Sequence, residues 1–227
     1  MEEFDPVFTV KAATETEPAK KVKFAPGNLY WDGSEFKFEE HQYDYKSSRD
    51  ASHVRHFFWS KNARVAYAAD YAAANTEFGI TPAKTDTFFA ADGGAIEGYT
   101  VLDKTEWRYL IVHALEKASD KPKVVTVAGK KCVILKPDGF NGTVADTYTA
   151  DQWAAAETTG LVALPFAGNY SGSIVNNAGT LGHYWSASPE SSSASKAWYA
   201  YFDSGDANTN FSNRNDGRVV RLVSVVE

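Results

Sequence analysis

Apolar and polar positions change period several times along the chain, and each change predicts an element. Between 103 and 117, Trp107, Leu110, Ile111, Ala114 and Leu115 follow the i, i+3, i+4, i+7, i+8 spacing of one helix face. Asp103 and Glu106, three residues apart, add a capping box at its start. A second helix is predicted from Thr149, with Gln152 three residues on and Trp153 following. Short apolar or alternating runs read as strands: Val7-Phe8-Thr9-Val10, Val22 and Phe24 between lysines, Val124-Val125-Thr126-Val127, Cys132-Val133-Ile134-Leu135 and 161–164. Leu29-Tyr30-Trp31 and Phe36-Lys37-Phe38 flank Asp32-Gly33 and predict a hairpin. The alanines of 63–74 form no clean stripe, so 41–74 reads as irregular. The glycines and asparagines of 168–182 predict a long surface loop. Two helices among many short strands predict an α+β domain over 21–227, with 1–20 as a lead-in strand and connector.

The stretch 182–223 organises the rest. It opens with Gly182-His183-Tyr184-Trp185-Ser186-Ala187-Ser188 and closes with Gly217-Arg218-Val219-Val220-Arg221-Leu222-Val223, both reading as strand. Between them, at 186–216, eight Ser, four Asn, three Asp and one Thr make up 16 of 31 residues. That composition buries too little apolar surface to fill a core. Held by rigid flanks, it has the character of a binding face. Within it, Trp198, Ala200 and Phe202 alternate with Tyr199, Tyr201 and Asp203, which predicts a strand with the first set inward and the second outward. An ordinary half-solvated strand would alternate in the same way. The run that follows favours binding: Asp206, Asn208, Asn210, Phe211, Ser212, Asn213, Asn215 and Asp216, with Phe211 unsheltered.

Composition narrows the chemistry. A net charge of −6 over 227 residues argues against nucleic acid, whose phosphates need a concentrated basic face. No run of eighteen apolar residues predicts a membrane span, and the acidic opening Met1-Glu2-Glu3-Phe4-Asp5 does not resemble a signal peptide. The single cysteine, Cys132, excludes an internal disulfide and sits in an apolar run as an inert thiol. His53 and His56 form the one close histidine pair. They lack the intervening Glu of a zinc protease helix and read as solvated. The Asp and Asn residues of 203–216 could supply oxygen to calcium, but their spacing matches no defined loop, so turn residues are the default.

Several motifs resemble a known family. Lys23-Phe24-Ala25-Pro26-Gly27-Asn28-Leu29, Gln42-Tyr43-Asp44-Tyr45, Thr105-Glu106-Trp107-Arg108-Tyr109-Leu110 and Leu164-Pro165-Phe166-Ala167-Gly168, with the two motifs bounding 182–223, are similar to a gut Bacteroidetes surface-protein family. That family is related to the major paralogous domain proteins. The resemblance implies a C-type lectin-like fold of the formylglycine-generating-enzyme type, with two helices packed on short twisted antiparallel sheets. Some relatives are variable proteins of diversity-generating retroelements, in which adenine mutagenesis rewrites C-terminal surface codons. On that resemblance the variable, ligand-binding positions fall at His183, Ser188, Tyr199, Tyr201, Asp203, Asp206, Asn208, Asn210, Ser212, Asn215 and Asp216, with Phe211 as an added anchor. Trp185, Phe202, Arg214, Gly217 and Arg221 fall on the constant scaffold, and Lys196 and Trp198 do not fit asparagine-codon mutagenesis.

Formylglycine-generating enzymes use two active-site cysteines, and this chain has one, so the expectation is a non-enzyme. The expected partner is an external protein or glycan, with the face at about 183–216. The expected setting is a bacterial cell surface or a phage virion, with no cofactor. A fixed-specificity lectin or adhesin, with calcium as an option, is the alternative.

Overall fold

The computed structural model of the chain describes residues 6–89 and 95–226, and the acidic opening at 1–5 lies outside the described residues. Strands are numbered β1 to β17 and helices α1 to α4 along the chain. The first sheet is built from both ends of the chain. In the order β1-β2-β17-β5 it pairs Phe8–Lys11, Lys20–Phe24, Leu222–Val226 and Thr100–Val101, all antiparallel. The lead-in strand is thus an edge of the sheet, and Phe8 and Val10 are buried.

Helix α3, Lys104–His113, lies beside this sheet with Trp107, Leu110 and Ile111 buried. Its start is fixed by the predicted capping box. The Asp103 carboxylate accepts the N–H groups of Thr105 and Glu106 at 2.7 and 2.8 Å, and Glu106 accepts the Asp103 N–H at 2.8 Å. Replacing a cap costs about 1 kcal/mol. Asp103→Ala is therefore expected to lower the melting temperature by several degrees without changing the far-UV spectrum, a shift calorimetry reads directly. The helix ends four residues before the predicted 117. Leu115 bridges Leu135 and the Glu116 N–H donates to the Ile134 carbonyl, so the next sheet claims those backbone groups.

That second sheet has the order β10-β8-β9-β11: Thr147–Tyr148, Val125–Val127, Lys130–Leu135 and Val162–Pro165. Helix α4, Ala150–Glu157, opens on the expected Thr149–Gln152 capping box and buries Trp153 against Val125, Cys132 and Ile134. Smaller hairpins complete the frame. Strand β3, Leu29–Trp31, pairs with β4, Phe36–Phe38, around the predicted turn. Strand β6, Lys117–Ala118, pairs with β7, Lys121–Pro122. The predicted loop at 168–182 instead contains β12, Asn169–Ser171, paired with β13, Ile174–Asn176. The stretch read as irregular contains α1, Ala63–Tyr67, and α2, Tyr71–Glu77, each held by an Asn62 or Asp70 cap rather than by an apolar stripe.

The third sheet carries the C-terminal motifs: β14, Gly182–Pro189, β15, Lys196–Phe202, and β16, Ala207–Asn213. Strand β14 has a register shift between Trp185 and Pro189. One face of this sheet gives Tyr184, Ala200 and Phe202 to the core under α3. The other gives Trp185 and Ala197 to a second core with Phe57, Trp59 and Val220.

The predicted α+β architecture of two helices on twisted sheets does not hold. Strand takes up 36% of the structure and helix 14%, divided among many small sheets and four short helices. The reason lies in the segments between the recognisable elements. They pair as two- and three-residue hairpins, and their helices are too short to form a layer.

Candidate binding face

The register of the third sheet decides which predicted site residues meet. His183 lies opposite Tyr201, and Tyr201 opposite Asn208. Trp185 lies opposite Tyr199, and Tyr199 opposite Asn210. Ala197 lies opposite Ser212. Directly opposed residues share a face, so His183, Tyr199, Tyr201, Asn208, Asn210 and Ser212 form one surface. Asn208 and Asn210 are exposed, the tyrosines are half-buried and His183 is buried at the inner edge.

Phe211 is not part of it. It pairs with Trp198 on the opposite face, edge-to-face at 5.3 Å and 70°, with the Lys196 ammonium 5.3 Å from its ring. The expectation that Phe211 anchors the tyrosine surface is corrected by the two-residue period of the strand. Ser188 is also elsewhere, its hydroxyl accepting the Lys104 N–H at 3.0 Å at the start of α3.

Beneath the tyrosines lies a rigid layer. The Arg218 guanidinium, almost fully buried, sits 4.0 Å from the Tyr199 ring and 4.4 Å from Trp185. The Trp185 indole donates to the Phe57 carbonyl at 2.7 Å, and Trp59 donates to Ser186 at 2.7 Å. His183 meets Tyr199 edge-on at 5.2 Å and 78°. Stacking of this kind leaves Tyr199 few rotamers, so little side-chain entropy remains to be lost on binding. Gly217 is required here because a Cβ would lie 2.9 Å from that of Tyr170 and 3.1 Å from that of His56. The residues placed on the constant scaffold, Trp185, Phe202, Arg214, Gly217 and Arg221, are all buried.

The acidic residues are engaged by the chain itself. Asp203 Oδ1 accepts the Gly205 and Asp206 N–H groups at 2.6 and 2.7 Å and so closes the β15–β16 turn. Asp206 accepts the Tyr201 hydroxyl at 2.5 Å, and Asp216 accepts Ser212 at 2.6 Å and Ser171 at 3.3 Å. The calcium option at 203–216 thus meets carboxylates already bonded to local donors. Among the described residues no group of three or more His, Cys, Asp or Glu is placed to hold a metal. The hydrogen bond to Asp206, then burial, pushes the Tyr201 phenol up to about 12. Asp206→Asn is expected to bring it down toward the ordinary value near 10, and ultraviolet titration of the phenols measures the change.

Strand β16 is an edge, and its edge is closed. In the register set by the turn, Ala207, Thr209 and Phe211 direct their N–H groups away from β15. Each is taken by the side chain before it, at Asp206, Asn208 and Asn210, at 2.8, 2.9 and 2.8 Å. Filled donors blunt strand addition. The carboxamide nitrogens of Asn208 and Asn210 carry no hydrogen bond among the described residues and are presented beside the tyrosines.

The histidine pair is not solvated as expected. His53 stacks on Tyr30 at 3.9 Å, whereas His56 is fully buried with Nε2 2.9 Å from the Ala167 carbonyl. Burial, together with nearby arginine charge, lowers His56 to about 4 and His183 to about 3. Cys132 is buried and its thiol is pushed up by desolvation, in keeping with an inert side chain. Sequence reasoning missed Arg218 and Ser171. A charged residue is normally assigned to solvent, and nothing in Arg218-Val219-Val220-Arg221 signals that the whole run is buried. Among the described residues no helix is long and apolar enough to cross a membrane.

A family model described as a domain of unknown function (DUF8237) matches residues 32–223, from the β3–β4 turn into β17. No curated protein and no solved structure matches the chain.

Proposed function

We propose that this chain, which belongs to the DUF8237 family, is a non-enzymatic binding protein whose β14–β15–β16 surface engages an external protein target. The observation that carries this reading is the pairing of open amide donors with fixed rings. The exposed carboxamide N–H groups of Asn208 and Asn210 stand beside Tyr199 and Tyr201, and Tyr199 rests on a buried Arg218–Trp185 stack. Rigid aromatic anchors surrounded by adaptable amides make a paratope-like surface. Asn208 and Asn210 are exposed and belong to neither core, so they tolerate replacement without loss of the fold. That property suits a diversified receptor of the retroelement type displayed on a bacterial surface or a virion.

The test is population sequencing of the gene and its flanks. A reverse transcriptase and an imperfect repeat, differing only at adenines from codons for the tyrosine face, are the expected result. Substitutions should fall on Tyr199, Tyr201, Asn208, Asn210 and Ser212 and spare Trp185, Gly217 and Arg218. Variation spread equally over both faces of β15 and β16 would overturn the diversified reading.

A further inference from the structure

Past the far end of β16, a separate open cleft of about 510 Å3 is lined by Tyr71, Pro82, Ala194, Ser195, Asn213 and Asn215. Its size falls within the roughly 300–1,000 Å3 of small-molecule sites. Its chemistry is specific in what it lacks. No lining side chain is charged at neutral pH, so a phosphate or carboxylate would find no counter-charge there. Three of the six lining residues, Ser195, Asn213 and Asn215, carry hydroxyl or carboxamide groups that both donate and accept, and the Ser195 hydroxyl shares one hydrogen bond with Ser193 at 2.9 Å. The other three give an aromatic ring, a pyrrolidine ring and a methyl group.

The pocket is also built to keep its shape. Arg214, in the chain between the two asparagines, is buried and stacks 4.2 Å from Trp59. It donates at 2.7 Å to both Asp86 and the Ala83 carbonyl on the Pro82 side, and at 3.3 Å to the Lys196 carbonyl beside Ser195. Its own N–H donates to the Ser195 carbonyl at 2.9 Å. One side chain thus joins both walls, and its charge is neutralised beneath the floor. Tyr71 is held edge-to-face by Phe58 at 5.7 Å and 75°, which fixes the ring.

We infer that this pocket binds a neutral saccharide, with Tyr71 as the platform for the apolar face of a sugar ring and Ser195, Asn213 and Asn215 as partners for its hydroxyls. A polyol with one C–H face matches a neutral lining that is half apolar and half amide or hydroxyl, and the volume accommodates roughly one or two rings. The inference is independent of the tyrosine face.

The experiment is saturation-transfer NMR and calorimetry on the full chain with glucose, galactose, mannose, N-acetylglucosamine and cellobiose. At least one of these is expected to bind. Tyr71→Ala and the exposed pair Asn213→Ala/Asn215→Ala should each weaken it tenfold or more, while Tyr71→Phe and Tyr199→Ala leave it unchanged. The asparagine pair lies on the surface, so its effect is not confounded by unfolding. Failure of the whole panel to bind would overturn the inference. So would binding that survives the asparagine substitutions, or that is lost with Tyr199→Ala instead.

Discussion

Arg214→Ala is expected to destabilise the protein by on the order of 3–5 kcal/mol, the scale for breaking a buried ion pair by removing one partner. Only 1% of the Arg214 side chain and 5% of the Asp86 side chain are exposed, so the substitution removes the main partner of a buried carboxylate and leaves it the Lys61 ammonium at 3.4 Å and the Ala83 N–H at 2.8 Å. It also removes the stack on Trp59 and leaves the Ala83 and Lys196 carbonyls without their donor. A small domain has only roughly 5–15 kcal/mol of total stability, so this one change takes a large share. Urea unfolding followed by circular dichroism measures the loss. Asp86→Ala/Arg214→Ala should recover part of it, because the buried carboxylate that lost its guanidinium is then gone. A loss below about 1 kcal/mol in the single variant would mean that the two walls of the pocket stand without their crosslink.

The second large effect is on pH. An unfolded histidine titrates near 6.5, whereas His56 titrates at about 4 and His183 at about 3 in the folded chain, both because burial disfavours the cation. Between those values the unfolded state binds more protons than the folded one. Their contribution is therefore fully present above about pH 6.5 and declines as pH falls toward 4. With two such groups the slope reaches about 2.7 kcal/mol per pH unit. His56→Gln and His183→Asn should each remove about half of it. Chemical denaturation at half-unit steps from pH 7.5 to 4.5 gives the slope directly. A slope unchanged by both substitutions would contradict the burial of the two rings.

Local signals were legible where two kinds of information coincided. Asp103–Glu106 and Thr149–Gln152 each combined a cap with an apolar helix pattern, and both helices start where those residues indicate. The hairpin at Asp32-Gly33 joined turn chemistry to aromatic runs, and the strands around Gly129 joined it to β-branched ones. Strand β16 was not legible, because Ala-Asn-Thr-Asn-Phe-Ser-Asn has almost no apolar alternation. It is held by β15 and by its own amide side chains rather than by burial. Missing that strand is what misplaced Phe211, since its face follows only from pairing with Trp198. Helices α1 and α2 were hidden for a similar reason, being short capped helices of alanine-rich chain without a stripe. The fold class failed at the level of assembly. The small hairpins are local, but the pairings that assemble the sheets, β2 and β5 with β17, β9 with β11 and β8 with β10, join strands that are not consecutive, and sequence periodicity carries no record of them.

Site-specific photocrosslinking tests the binding face most directly. A benzophenone amino acid is placed singly at 201, 208, 211 or 112, and each protein is exposed to the cells and extracellular fluid of its native setting. Positions 201 and 208 lie on the tyrosine face, 211 on the opposite face, and Val112 is an exposed apolar residue on α3. A discrete protein adduct is expected from 201 and 208, absent from 211 and 112 and competed away by unlabelled protein but not by its Tyr199→Ala/Tyr201→Ala variant. Adducts from 211 or 112 with none from 201 or 208 would contradict it.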